Sequence, residues 1–301
     1  MFNGGFEGLH RGKYQGMQND VSPGIRVGQY GEVPTLSNNY NYCEEAEYLF
    51  SRMTTKPPEI EKMAIRKVII KLKRAGIWQK MDLWQMYAAG NEVSCRTNWV
   101  NPLLYTGTNP SGSTPWTAYI GYTGGTVPQN RYIDTGFNPA TNAVNYTLNS
   151  GCHGGYIRGV TTGNKVSWGI TSGSGALSYI VLYPLTGGVA YPVANITDAS
   201  FISGYSEDGT GGLVVAQVNN SSNQTPYKNG IIKGSFTTAQ SFIPNGPDYV
   251  LARNFIGGGA STHSDATVSL RFYCGKLTAE QHRILYLVVQ EYLSTFSTQI
   301  I

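Results

Sequence analysis

Apolar positions along the chain change period at two places. Between residues 57 and 76 they recur as on a helix, with Ile65, Val68, Ile69 and Leu72 at i, i+3, i+4 and i+7 forming one stripe. Pro57 and Pro58 suit a first turn, Glu59 and Glu61 complement the positive end of the helix dipole, and Gly76 suits the left-handed residue that closes a helix. Residues 41–51 predict one shorter helix ahead of this. Ile77, Trp78, Met81, Leu83, Trp84, Met86 and Tyr87 follow at once, apolar on more than one side, and read as a second short helical segment that must be covered.

From Trp99 the period becomes two. "RYIDTGF", "NYTLNS", "KVSWGI", "LSYIVLY", "FISGY", "LVVAQV", "GIIKGSF", "DYVLARNF" and "ATVSLRFYC" are short, rich in β-branched and aromatic residues, and separated by Gly, Asn, Pro or Ser. Asp208-Gly209 and Asn229-Gly230 are hairpin-turn signals, because a two-residue turn that matches strand twist needs positive φ. Strands at this spacing without intervening helices predict an antiparallel sandwich. Thr278 and Gln281 then form a capping-box pattern, and Ile284, Leu285, Val288, Tyr292 and Phe296 give the apolar face of a closing helix.

Composition agrees with a turn-rich β protein: charged residues are 13%, with 37 Gly and 21 Tyr in 301 residues. A net charge of +4 argues against nucleic acid as a whole-surface partner, and no apolar run approaches a membrane span. Lys62, Arg66, Lys67, Lys71, Lys73 and Arg74 make the first long helix basic. That face is read as solvated, with an acidic partner or nearby DNA as the sharper option. Cys43, Cys95, Cys152 and Cys274 show no zinc spacing. One bridge stays open, and four buried thiols in a protein made in a reducing cytoplasm is the reading adopted. No signal-like segment opens the chain, so a soluble protein not exported by the usual route is expected. Residues 1–41 carry many glycines and no period, so they are read as an extended arm lying against a neighbouring subunit or another protein.

Two passages carry a resemblance. "AIRKVIIKLKRAGIWQKMDLWQMYAAGNEVSCRTNWVNP" followed by "YIGYTGG…RYIDTGFNP" is similar to a module of bacteriophage tail and virion-surface proteins, in which helices lead into a concanavalin A-like (laminin G-like) jelly roll. "YKNGIIKGS" resembles a strand and Asn-Gly turn of that fold, and "VSLRFYCGKLTAEQHRILYLVVQEYL" resembles its last strand and closing helix; together the likeness covers residues 60–297. It implies a virion structural protein divided into an arm and anchor (1–55), a helical linker packed on the sandwich (56–98), and a mainly β, antiparallel concanavalin A-like sandwich with a C-terminal helix (99–301). It implies Trp78, Leu83, Trp84 and Tyr87 at the helix-to-sandwich interface, other virion proteins as partners of residues 1–55, a homo-oligomer (trimer or dimer), and adhesion to a host surface glycan.

Candidate chemistry is sparse. Jelly rolls of this class include glycosidases, and retaining hydrolysis needs two carboxyls about 5 Å apart. Between Asn101 and Gly275 the one Glu is Glu207, and Asp134, Asp198, Asp248 and Asp265 are scattered among turn-like residues. His153 and His263 lack a neighbouring nucleophile in sequence. No catalytic constellation, cofactor or metal site is therefore expected; a polysaccharide-degrading enzyme of the tailspike type, or a collar or tail component with no ligand, stand as alternatives. Trp116, Tyr119, Tyr122 and Tyr227 sit among small polar residues in loops, the mixture that stacks on sugar rings. They are the candidate ligand-binding residues, with loop anchoring as the competing reading.

Overall fold

The capping and terminating signals of the long helices act where the sequence places them. In a computed structural model the chain is described at residues 40, 42–125, 131–159, 165–172, 179–186, 189–196, 205–206 and 209–297. Residues 1–39 of the expected arm (1–55) and the Asp208 half of one hairpin turn lie outside the described residues. Helix α1 spans Glu44–Arg52, α2 Glu59–Arg74, α3 Pro139–Asn142 and α4 Ala279–Thr295. Helix α2 ends at Gly76 with φ +64°, and α4 begins with both hydrogen bonds of the Thr278/Gln281 capping box. None of the described helices is long and apolar enough to cross a membrane.

Seventeen strands are described: β1 (Met81–Met86), β2 (Trp116–Thr117), β3 (Gly121–Thr123), β4 (Ile133–Asp134), β5 (Gly151–Arg158), β6 (Trp168–Thr171), β7 (Tyr179–Thr186), β8 (Val189–Ile196), β9 (Tyr205–Ser206), β10 (Gly211–Asn220), β11 (Asn223–Lys228), β12 (Ile231–Ile232), β13 (Phe236–Thr237), β14 (Tyr249–Val250), β15 (Arg253–Phe255), β16 (Gly259–Ser261) and β17 (Thr267–Cys274). The first sheet runs β12-β11-β10-β5-β17-β3-β2, with β1 also on β17 and β13 on β11. The second runs β16-β15-β6-β7-β8-β9, with β14 on β6 and β4 on β14. Among the described residues the strand pairings are antiparallel except β15 with β6. The result is the mainly β, antiparallel sandwich that the strand pattern predicts. Asn229 and Gly230 have φ +53° and +77°, the conformation required of the Asn-Gly turn between β11 and β12.

The first sheet is a middle layer. Its one face meets α1, α2 and α4 through Trp84, Met86, Cys152, Leu213, Val215, Leu270 and Phe272. Its other face meets the second sheet: Tyr87, Ile157, Val214 and Val268 pack on Ile133, Trp168 and Val250. A strand buried on both faces reads as continuously apolar, without alternation. This corrects the expected second helical segment. Only Trp78–Lys80 forms a single 3-10 turn, and Met81–Met86 is a strand buried at every position and paired with β17.

Residues 44–52, assigned by sequence to the arm, belong instead to the folded body. Ala46, Leu49 and Phe50 of α1 are buried in the core shared with α2 and α4. The basic side chains of α2 are engaged within the protein. Arg66 pairs with Glu47 and Glu59 at 2.7 and 2.8 Å, Lys62 with Glu59, Lys73 with Glu45 of α1 and Lys71 with Glu291 of α4. Lys67 and Arg74 lie over the Tyr40 ring. Each such pair adds little alone, yet together they orient α2 against both neighbouring helices.

His282 on α4 is sealed against the first sheet. Its Nε2–H donates to Gln217 Oε1 at 2.9 Å, and its ring stacks on Tyr227 with centroids 3.6 Å apart. Burial pushes its pKa from 6.5 down to about 3, so the folded state holds it neutral while the unfolded chain takes up a proton. Stability is therefore complete above pH 6.5 and is lost as pH falls toward 3, with a slope of about 1.4 kcal/mol per pH unit for this group. Urea midpoints measured between about pH 6.5 and 5 should show that decline, and His282→Gln should flatten it by one proton's share.

Candidate functional site

A cluster of buried polar side chains lies between the sheets. Arg271 of β17 and Asp248, just before β14, are both fully buried and joined through Nε and Oδ2 at 2.6 Å. Arg271 Nη1 also donates to the carbonyls of Gly154 and Phe272 at 3.1 and 3.2 Å. It approaches His153 Nδ1 at 3.2 Å, while His153 Nε2 lies 2.9 Å from the Val193 carbonyl. Only a neutral ring with its proton on Nε2 satisfies both contacts. Burial, then the Arg271 charge, holds the His153 pKa well below its ordinary value. Burial alone would lower the Arg271 pKa, but the Asp248 carboxylate outweighs it and the guanidinium stays charged. Its Cζ lies 4.3 Å from the Tyr273 ring centroid and 5.2 Å from that of Trp168. A site with no exposed atom admits no substrate, so this network is a tie between the sheets.

The interface residues expected from sequence divide between two faces of β1. Trp78 and Trp84 lie in the helix-facing core, where Trp84 contacts Phe272 and Trp99, and Trp99 contacts Tyr292 of α4. Leu83 and Tyr87 face the second sheet instead, because neighbours along a strand point to opposite sides.

Of the four candidate aromatics, Trp116, Tyr122 and Tyr227 lie on β2, β3 and β11, and Tyr119 lies in the turn between β2 and β3. Tyr122 is fully buried and donates to Glu92 Oε1 at 3.1 Å. Tyr227 is buried under His282. Tyr119 stacks on Phe296 at 4.3 Å, and half-buried Trp116 donates its Nε1–H to the Tyr87 carbonyl at 2.9 Å. Burial withdraws Tyr122 and Tyr227 from an open surface, while Trp116 and Tyr119 stay half-buried, each with a partner inside the protein.

A surface that the sequence did not reveal lies on the outer side of the second sheet. Asp134 pairs with Tyr249, Tyr249 with Gly169, Gly169 with Arg253, and Arg253 with Ser261. Residues paired directly across a ladder share a face, so these five form one row over five strands, β4, β14, β6, β15 and β16. Their strand neighbours Ile133, Val250 and Trp168 are buried against the first sheet, which turns the row outward. At the usual strand spacing of about 4.8 Å the row is roughly 19 Å long. Asp134, Tyr249, Arg253 and Ser261 are half-buried, and Gly169, which carries no side chain between Tyr249 and Arg253, is itself buried.

The row is held in place by its own contacts. Tyr132 extends the aromatic end, its ring 4.6 Å from that of Tyr249. Asp134 Oδ1 accepts the Gly136 N–H at 2.8 Å. Arg253 Nε donates to Ser261 Oγ at 3.3 Å, and its Cζ lies 5.7 Å from the Phe255 ring centroid. Burial, then Asp134 and Tyr132, pushes the Tyr249 pKa up to about 12, so its hydroxyl keeps its proton at neutral pH. The row thus offers ring faces, hydroxyls, a carboxyl and a guanidinium on one firm surface. Among the described residues no three His, Cys, Asp or Glu gather as metal ligands.

No protein-family model matches the chain, and no curated protein matches it. Among solved structures it is similar to a Trypanosoma rangeli sialidase in complex with 2,3-difluorosialic acid, at 12% identity over 78% of this chain and 39% of that one, with a TM-score of 0.48. It is similar to the botulinum neurotoxin serotype D binding domain at 13% identity, over 71% of this chain and 52% of that one, with a TM-score of 0.46. It is similar to the Ruminococcus gnavus IT-sialidase CBM40 bound to α2,3 sialyllactose at 12% identity, over 47% of this chain and 83% of that one, with a TM-score of 0.35. The chain spans about half or less of the sialidase and toxin chains. These likenesses fix neither a ligand nor an activity for this chain.

The intersheet tie makes a direct prediction. Asp248→Asn leaves Arg271 charged and buried without its counter-ion, so stability should fall by about 3–5 kcal/mol in chemical denaturation. Arg271→Met combined with Asp248→Asn should cost clearly less than the two single changes added together, because the uncompensated charge is then gone.

Proposed function

We propose that the chain is a carbohydrate-binding β-sandwich displayed on a phage particle, holding a host-surface glycan across the outer face of its second sheet. The observation that carries the glycan reading is the outward row Asp134–Tyr249–Gly169–Arg253–Ser261. Tyr132 and Tyr249 supply faces on which a sugar ring stacks, Asp134, Ser261 and the Tyr249 hydroxyl serve its hydroxyls, and Arg253 serves the carboxylate of an acidic sugar. A row roughly 19 Å long suits a short oligosaccharide. Hydrolysis by the usual route needs a pair of carboxyls, and the row carries one, which favours binding over cleavage.

The virion setting rests on the sequence resemblance of residues 60–297. On that reading the chain forms a closed dimer or trimer and attaches to other virion proteins through the residues ahead of α1. The segment for attachment ends near residue 39, since α1 contributes Ala46, Leu49 and Phe50 to the folded core.

Two measurements test these parts separately. Binding of α2,3-sialyllactose and of lactose should be followed by saturation-transfer NMR and titration, with folding checked by circular dichroism. Saturable binding that weakens at least tenfold in Tyr249→Ala, with a preference for the acidic sugar lost in Arg253→Gln, is the expected result. Binding to neither sugar across a broader glycan panel, or binding lost in Trp116→Ala and untouched in Tyr249→Ala, would overturn the assignment. For attachment, the chain lacking residues 1–39 should keep its circular dichroism spectrum and fail to join particles; normal incorporation would move the anchor to the helices or the sandwich.

A further inference from the structure

Cys152 and Cys274 lie 122 residues apart in the chain, yet stand directly opposite one another in the β5–β17 ladder. Their Sγ atoms are 2.8 Å apart, against ~2.04 Å for a disulfide bond. Paired residues of an antiparallel ladder have Cα separations of about 4.5–5.5 Å, inside the range a disulfide spans. No backbone movement is therefore needed to join them. Both side chains point to the helix-covered face and are fully buried, in the core that includes Leu285, Val289 and Phe272. The other cysteines are occupied elsewhere: Cys43 Sγ lies 3.3 Å from Glu45 Oε2, and Cys95 Sγ 2.9 Å from the Glu92 carbonyl.

We propose that Cys152 and Cys274 are a disulfide-forming pair, closed while the chain folds and sealed once α4 has docked. The reaction is thiol–disulfide exchange with a low-molecular-weight disulfide such as oxidised glutathione. One thiol loses its proton and attacks, releasing one glutathione and leaving a mixed disulfide. The second thiol loses its proton and displaces the other glutathione, so one S–S bond forms and one breaks, and two electrons pass to the glutathione sulfurs. Either step requires the reagent to reach a sulfur, which the packed helices prevent in the folded protein. Burial, and then the contact with Cys152, also holds the Cys274 proton on well above its ordinary pKa, so little thiolate exists to react. The pair's redox state is thus set by the conditions in which the chain folds and is kept afterwards.

The test uses the full chain, refolded either with a glutathione redox mixture or with dithiothreitol. Each sample is unfolded in iodoacetamide, digested and analysed by mass spectrometry. The oxidised sample should give a linked peptide pair containing Cys152 and Cys274, with Cys43 and Cys95 alkylated. Its thermal midpoint should exceed that of the reduced sample by roughly 5–10 °C, because the link closes a long loop. The link should survive dithiothreitol without denaturant and be lost when denaturant is added. A Cys43→Ala/Cys95→Ala variant should behave identically, whereas Cys152→Ala/Cys274→Ala should show no redox dependence of its midpoint. Four alkylated cysteines after oxidative refolding, a link to Cys43 or Cys95, or loss of the link to reductant in native buffer would overturn the proposal.

Discussion

A guanidinium placed where no water reaches must be answered by the protein itself, and the answer given to Arg271 organises this molecule. Its counter-ion comes from the opposite sheet, its further acceptors from β5 and its own strand, and aromatic faces enclose what remains. The two sheets are thereby held at one separation and one register. Asp248 immediately precedes Tyr249, so the carboxylate drawn inward by Arg271 fixes the strand that turns the Tyr249 ring outward. The interior charge and the exterior row are two ends of one constraint.

Around that tie, β5 carries two adjacent glycines where bulk would be excluded. A Cβ on Gly154 would meet the Phe272 ring within 2.8 Å, on the helix side, and one on Gly155 would meet the Trp168 ring within 3.0 Å, on the sandwich side. The missing side chains leave room for Phe272 of the neighbouring strand β17 on the helix side and for Trp168 of the second sheet on the other. The helices and the outer row consequently lie on opposite faces of the folded body, so a contact made through the helical layer leaves the row unobstructed.

Much of this architecture was legible in the sequence because its signals are local. Gly76, the Thr278/Gln281 box and the Asn229-Gly230 turn each specify a conformation within a few residues, and the structure adopts all three. "KVSWGI" covers all but the last residue of β6, and "ATVSLRFYC" contains β17. The stretch Met81–Met86 misled because a strand covered on both faces loses the alternation that distinguishes it from a buried helix. "DYVLARNF" also divides, since Leu251 at φ +68° breaks it into β14 and β15. The outer row could not be read at all: residues 134, 169, 249, 253 and 261 become neighbours only through strand register, a long-range property that no window of sequence contains. Trp116, Tyr119, Tyr122 and Tyr227, by contrast, looked like available loop residues because a sequence does not show what a ring packs against.

The layering also bears on how this protein diverges. The central strands of the first sheet touch protein on both sides, so a substitution there must satisfy two sets of neighbours at once. The outer side of the second sheet answers to one. Divergence within a lineage should therefore be stratified, slow in the middle sheet and quicker along the row. A change of what the surface recognises could then accumulate by single replacements, with the interior unaltered.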